Sequence, residues 1–356
     1  MEKVLVKLEN VSKKFDKDYV IKDFSLDIYE GEFLTLLGPS GCGKTTVLRM
    51  ISGLDTVTKG KVYIDDVDVT NLDATKREVN TIFQNLALFP KMTVTENISF
   101  GLRMKKMPKD EIEKKVKSVI KLVKLNGLEN RYPAELSGGQ QQRVAIARGK
   151  VMNPKVLLLD ESLCSIDLKL KKSMHVELKK IQKQLGITFI YVTHAQDEAL
   201  SMSDRIVIIN KGRIEQIDTP EDIYRHPNTI FVADFIGEAN ILDATVIKQE
   251  GELVEVKMLD KIRVSAKCKE NDNYVKGEQV KIVMRPEDVK VSPNELTKSI
   301  TGIITDFIYG GDTTKLIIEL PNGISLKSSV TDEEKYKCGD EVYIKFEEKY
   351  IVALRK

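Results

Sequence analysis

The sequence lacks any apolar run approaching the roughly 20 residues that a membrane-spanning helix requires. Its densest runs, Phe33 to Leu37 and Val156 to Leu159, suit buried strands instead. Met1 to Leu8 mixes charged and apolar residues and holds no signal-peptide core. The chain is therefore expected to stay in the cytosol and to meet a membrane only through a partner. An excess of either charge is missing too. The 56 Lys and Arg nearly balance the 54 Asp and Glu, leaving a net +2. That provides no basic field for nucleic acid, so no nucleic-acid partner is expected. Cysteine is sparse: Cys42, Cys164, Cys268 and Cys338 are scattered, without metal-like or disulfide-like spacing, and read as reduced thiols. There is no long repeat and no low-complexity linker.

What is present is ordinary globular material, 42% hydrophobic and 31% charged over 356 residues, enough for two domains. Val4, Val6 and Leu8 alternate with polar neighbours, as do Phe24, Leu26 and Ile28, which predicts half-buried strands. From about residue 86 to 150 the character is helical. Ile112, Val116, Val119, Ile120 and Val123 form an apolar stripe opposite lysines and glutamates. A further helix is expected from about Leu168 to Leu185. Strands at Val156 to Leu159, Thr188 to Thr193 and Arg205 to Ile209 frame it, and this alternation implies a parallel sheet with crossovers. After Gly237 short alternating runs separated by Gly, Asn and Asp read as a small all-β, barrel-like domain. The expected division is 1–237 and 238–356.

Gly38-Pro39-Ser40-Gly41-Cys42-Gly43-Lys44-Thr45 fits the phosphate-loop pattern G-x-x-x-x-G-K-[ST], between a strand and a helix. Its glycines let backbone N–H groups converge on phosphate oxygens at a helix N-terminus. Lys44 is expected on the β and γ phosphates, the Thr45 hydroxyl on Mg²⁺ and Thr46 on a further phosphate oxygen. Cys42, inside this loop, is expected to be open to alkylation. Asp160 and Glu161 end an apolar strand. The first can hold Mg²⁺ through water and the second can polarise an attacking water. Leu136-Ser137-Gly138-Gly139-Gln140 opens another helix able to face an anion, although a bare helix cap reads equally well from the residues alone. His175 and His226 are read as structural.

Together these segments resemble an ATP-binding cassette (ABC) ATPase over roughly residues 4 to 240. The resemblance implies a P-loop α/β fold with an antiparallel β part and a helical subdomain at about 86–150, followed by an OB/TOBE-type β domain. It implies that Ser137, Gly138, Gly139 and Gln140 form the signature that completes the ATP site of a second copy. It also implies that Gln84 is the glutamine touching Mg²⁺ and water, that His194 is the switch histidine on the γ-phosphate, and that Ser165-Ile166-Asp167 crosses between subunits. Phe15 stands where the family stacks an aromatic on adenine, although a core position is the plainer alternative. Met284-Arg285-Pro286-Glu287-Asp288 and Phe231 to Glu238 resemble the regulatory domain, and the junction leading into it, of binding-protein-dependent importers. Asp160-Glu161-Ser162-Leu163, Gly186-Ile187-Thr188-Phe189 and Phe235-Ile236-Gly237-Glu238 resemble the polyamine-importing branch.

The implied assembly is a homodimer of ATPase subunits, two integral membrane permease subunits and an extracytoplasmic solute-binding protein, with this chain peripheral on the cytoplasmic face. ATP and Mg²⁺ are the implied ligands. Leu86-Ala87-Leu88-Phe89-Pro90 is expected to help form the groove that receives a permease helix. Importers of sugar, sulfate or iron are the nearest alternatives. A chromosome-type relative would need a coiled-coil insertion between Gly43 and Ser137, and ribosome-type relatives usually carry two cassettes. A GTPase would need an aspartate that Asn210-Lys211-Gly212-Arg213 lacks. A binding module without turnover is disfavoured by Glu161 and His194. Three departures from the family stand out: Cys164 for serine, Ala195 for an acid, and Arg148-Gly149-Lys150 for an alanine-rich stretch. Gly149 there costs about 1 kcal/mol of helix stability against alanine.

Overall fold

The computed structural model describes residues 3–160, 168–259, 262–269, 272–311, 313–331 and 336–355, with the side chains of 168–174 outside that set. The chain divides into two units, Met1–Pro220 and Glu221–Lys356, so the break falls ahead of the Gly237 expected from the sequence.

The first unit is built on two sheets. β1 (Val4–Phe15), β2 (Asp18–Tyr29), β4 (Lys59–Ile64) and β5 (Val67–Asp68) form an antiparallel sheet in the order β2-β1-β4-β5. The second sheet contains β3 (Phe33–Leu37), β6 (Val79–Ile82), β7 (Val156–Asp160), β8 (Thr188–Thr193), β9 (Arg205–Asn210) and β10 (Arg213–Asp218). Its order is β10-β9-β3-β8-β7-β6. All its pairings are parallel except β9 with β10.

Period-2 alternation gives the second sheet two faces. Leu34, Leu36, Val156, Leu158, Ile190 and Val192 pack into one core with the antiparallel sheet and α1 (Lys44–Ser52). Phe33, Leu157, Leu159, Phe189 and Tyr191 pack into another with α2 (Val94–Met104), α3 (Lys109–Leu122), α4 (Gly138–Lys150) and α5 (Leu168–Leu185). Both faces are covered, so these strands read as nearly continuous apolar runs. The last helix of this unit, α6 (Gln196–Met202), follows β8.

The C-terminus of α1 is closed by a side chain from outside it. Arg77 donates to the carbonyls of Met50 at 2.7 Å and Ile51 at 2.9 Å, and to those of Leu72 and Thr70. The bonds to Met50 and Ile51 reach carbonyls of the last turn of α1, where intrahelical donors run out.

In the second unit α7 (Pro220–Arg225) and α8 (Ile230–Phe235) precede ten strands among the described residues. β11 (Asn240–Glu250), β12 (Leu253–Met258), β13 (Ile262–Lys267), β14 (Gln279–Met284) and β20 (Val352–Arg355) close a barrel. β15 (Val289–Ser292), β16 (Ile300–Tyr309), β17 (Thr314–Glu319), β18 (Ser325–Val330) and β19 (Glu341–Phe346) form a second sheet that shares the barrel's core.

Arg285 explains why α7 and α8 belong with this unit. Its guanidinium donates to the carbonyls of Tyr224 at 2.8 Å, Ala233 at 3.0 Å and Glu238 at 3.1 Å, and stacks 4.3 Å from the Tyr224 ring. Next to it, Tyr224 Oη donates to Glu287 at 2.9 Å and Arg225 pairs with Asp288 at 2.9 Å. The Arg285-to-Asp288 segment is thus the clasp that holds the junction helices.

Candidate functional site

The loop between β3 and α1 can take its shape only with glycine at two points. A Cβ on Gly38 would sit 2.2 Å from the Ile209 carbonyl oxygen, so β9 leaves no room for one. Gly43 has φ +107°, and a Cβ there would meet Ile21 Cδ1 at 2.4 Å. Gly43 also caps α1 without a side-chain bond, so the N–H groups of the first turn remain directed at the loop. Lys44 is buried, and its ammonium donates to the Gly38 carbonyl at 2.8 Å and the Pro39 carbonyl at 2.9 Å. Ser40, Gly41 and Thr45 are exposed and Thr46 is half-buried.

Cys42 corrects an expectation. It is only 5% exposed, with its sulfur 3.9 Å from Lys44 Nζ. Burial pushes its thiol above the usual range, so it is shielded and poorly ionised rather than open to alkylation.

The other polar candidates come together through strand order. Leu37 pairs with Thr193, Val192 with Asp160, and Leu159 with Ile82, so four neighbouring parallel strands end at one level. Gly38, His194, Asp160 and Gln84 therefore follow one another along the carboxyl edge of β3, β8, β7 and β6. Such edges are where sheets of this kind bind ligands. The Thr45 hydroxyl lies 3.3 Å from Asp160 Oδ1, which brings the loop and the acid strand together. His194 and Gln84 are exposed. Glu161, Cys164 and Ser165-Ile166-Asp167 lie outside the described residues.

Gln84 opens a turn in which Leu86 (φ +56°) and Ala87 (φ +44°) are left-handed. Two side chains hold it. Arg148 of α4 donates to the Leu86 carbonyl at 2.8 Å and the Ala87 carbonyl at 2.6 Å, and its guanidinium lies 5.6 Å from the Phe89 ring centre. Asn97 of α2 accepts from the Phe89 N–H at 2.8 Å and donates to its carbonyl at 3.1 Å. Phe89 is half-buried against Phe100 and Pro90 is exposed. Nothing in the sequence singles out Arg77 or Asn97, and Arg148 stands out only as a departure from an alanine-rich stretch, because a side chain bonding to distant carbonyls leaves no periodicity.

Ser137 caps α4. Its hydroxyl accepts from the Gln140 N–H at 3.4 Å, and the Gln140 side chain accepts from the Ser137 N–H at 2.9 Å. The cap is real, and it leaves Ser137 and Gly138 exposed at the helix start. Phe15, at the end of β1, is 45% exposed rather than in the core, with Lys13 Nζ 4.8 Å from its ring centre.

Hydroxyl and carboxylate oxygens at Thr45 and Asp160 suit a hard divalent cation that takes few protein ligands. Among the described residues no cluster of three or more His, Cys, Asp or Glu could cage a metal by itself, and no helix is long and apolar enough to cross a membrane.

Residues 21–163 match the ABC transporter family and residues 282–354 the TOBE domain family. The chain is 47% identical to the spermidine/putrescine import ATP-binding protein PotA of Aliivibrio fischeri, over 99% of this chain and 96% of that one. It is 46% identical to the protein of the same name from Haemophilus ducreyi, over 99% and 97% of the two chains. Among solved structures, cbiO1 from Clostridium perfringens, part of the ABC transporter complex cbiONQ, superposes with a TM-score of 0.58 at 30% identity, covering 62% of this chain and 91% of that one. A dimeric post-hydrolysis ATP-binding cassette bound to ADP and Pi superposes with a TM-score of 0.52 at 35% identity, covering 61% and 99% of the two chains.

Proposed function

The chain belongs to the ATP-binding cassette family of transporter ATPases, and on that premise we propose that it powers uptake of a polyamine, spermidine or putrescine, through a membrane permease. It is the ATP-binding and hydrolysing subunit of an importer. One observation carries the ATPase reading: phosphate loop, Asp160, His194 and Gln84 stand side by side at the carboxyl edge of one parallel sheet. The polyamine reading draws on similarity that runs through 99% of the chain, C-terminal strands included.

The working site lies between two copies. The loop N–H groups and Lys44 of one copy grip the triphosphate, and Lys44 exchanges its two carbonyl partners for phosphate oxygens. Ser137 to Gln140 of the other copy reach the γ-phosphate from a helix N-terminus. Phe15 offers its exposed ring to the adenine. Glu161 takes a proton from the attacking water while His194 and Gln84 hold the water and the γ-phosphate in line. Thr45 and Asp160 would hold Mg²⁺, which would offset triphosphate charge. Loss of the γ-phosphate removes the link between the copies and they separate.

Two such subunits sit on the cytoplasmic face of the membrane against two permease subunits, supplied by an extracytoplasmic binding protein. The turn from Leu86 to Pro90 receives a permease helix. The test is uptake into proteoliposomes carrying the native permease and binding protein. Radiolabelled spermidine or putrescine should enter only with ATP, and K44A should stop it. Uptake of a sugar, sulfate or iron in place of polyamine would overturn the substrate assignment.

A further inference from the structure

A buried acid that the mechanism above leaves unused fixes the backbone around His194. Glu198, in the first turn of α6, is 2% exposed. Its Oε2 accepts two hydrogen bonds from β8, from Tyr191 Oη at 2.5 Å and from Thr193 Oγ1 at 2.6 Å. Thr193 Oγ1 in turn accepts from the Ala195 N–H at 3.0 Å. Thr193 and Ala195 flank His194, so one hydroxyl bridges the backbone on both sides of it. That hydroxyl donates once and accepts once, which fixes its rotamer and its proton.

The other oxygen of Glu198 faces His175 Nε2 of α5 at 4.0 Å, and His175 Nδ1 lies 3.3 Å from Ser201 Oγ of α6. The acid therefore ties α6 to the end of β8 next to His194, with His175 of α5 packed against its other oxygen. Ala195 provides no side-chain cap for α6, and Thr193 and Glu198 brace the bend at His194. A valine at 193 would fill the same space in a strand that favours β-branched residues. It would leave the Glu198 carboxylate short of a donor and the Ala195 N–H without its acceptor.

We propose that Thr193 and Glu198 are positioning residues that set the orientation of His194 toward the γ-phosphate. This inference rests on His194 being the γ-phosphate contact. A group held about 1 Å out of place can cost up to about 100-fold in rate. The effect belongs in turnover rather than in nucleotide affinity, because the phosphate loop is untouched.

The experiment measures steady-state ATP hydrolysis by the full-length chain with its permease, comparing T193V, T193S, E198D and H194A. T193V should lower kcat about tenfold or more with KM for ATP within about twofold. T193S, which keeps the hydroxyl, should restore kcat. E198D, which draws the carboxylate back by one methylene, should lower kcat in the same way and covers the case of T193V failing to fold. If T193V changes only the melting temperature and hydrolyses ATP like the parent, or if KM rises while kcat holds, the proposal is wrong. H194A separates the two levels. Full activity in H194A would remove the underlying reading, whereas an inactive H194A beside a normal T193V would overturn only this inference.

Discussion

Arg148, in the last turn of α4, donates to the carbonyl of Ala87 at 2.6 Å, so the far end of the helix that starts at Ser137 grips the turn that starts at Gln84. The second arm of the same guanidinium holds Leu86. Both acceptors belong to left-handed residues, whose conformation costs energy and persists only where the surroundings impose it.

R148A should therefore release the turn. Hydrogen bonds from a charged donor contribute about 1.5–3 kcal/mol each, less at a half-buried site. Amide hydrogens from about residue 85 to 92 should exchange roughly 10- to 100-fold faster, with little change in α1. R148K keeps the charge but loses the fork and should recover only part of the protection. Unchanged exchange in R148A would show that the turn holds itself.

Gly149 lies one residue further on. From helix propensity alone, G149A should stabilise by about 1 kcal/mol. The packing opposes this: a Cβ at 149 would stand 2.9 Å from Leu157 Cδ2, and Leu157 is fully buried on β7. The Gly149 carbonyl also accepts from Asn80 Nδ2 at 2.8 Å, which fixes α4 against β6. Overpacking of this kind typically costs about 1–3 kcal/mol, so G149A should be net destabilising in urea unfolding. A gain near 1 kcal/mol would mean that Leu157 moves aside freely.

This pair of residues shows where the sequence stops being legible. The phosphate loop, the acid strand and the parallel sheet could be read because a spacing or an alternation encodes each of them. From sequence, Arg148-Gly149-Lys150 is only a weakened helix. Its use depends on which strand and which turn lie across from it, and that is a tertiary fact. The same holds for Arg285, whose motif is recognisable but whose grip on α7 and α8 is not. For a similar reason, a place in the phosphate loop does not reveal that Cys42 is buried, with its sulfur beside Gly38 and Lys44.

Asp65 links the start of β1 to the entry of β7. Its carboxylate accepts from Lys155 at 2.6 Å and pairs with Lys3 at 2.5 Å. Hydrogen bonds from Lys155, then Lys3, draw its pKa down from 3.8 to about 2. A depressed pKa means that the carboxylate stabilises the fold above the ordinary value and stops doing so as pH falls through the lowered one. The stability advantage of the parent over D65N should thus be complete near pH 5, shrink from about pH 4 and vanish by about pH 2. Asparagine tolerates the left-handed backbone at this site, φ +49°, so the comparison isolates the charge. An advantage that does not change with pH would assign the effect to shape instead.

The most direct test of the account concerns E161Q, which should bind ATP but fail to hydrolyse it. With ATP and Mg²⁺, beside its permease, this variant should hold two copies closed, with Ser137 of each crosslinkable to the phosphate loop of the other. Adding S137R should abolish both the closure and the crosslink. A hydrolysis-blocked, ATP-loaded E161Q that stays monomeric by light scattering, or that closes equally well with S137R, would contradict a site shared between two copies.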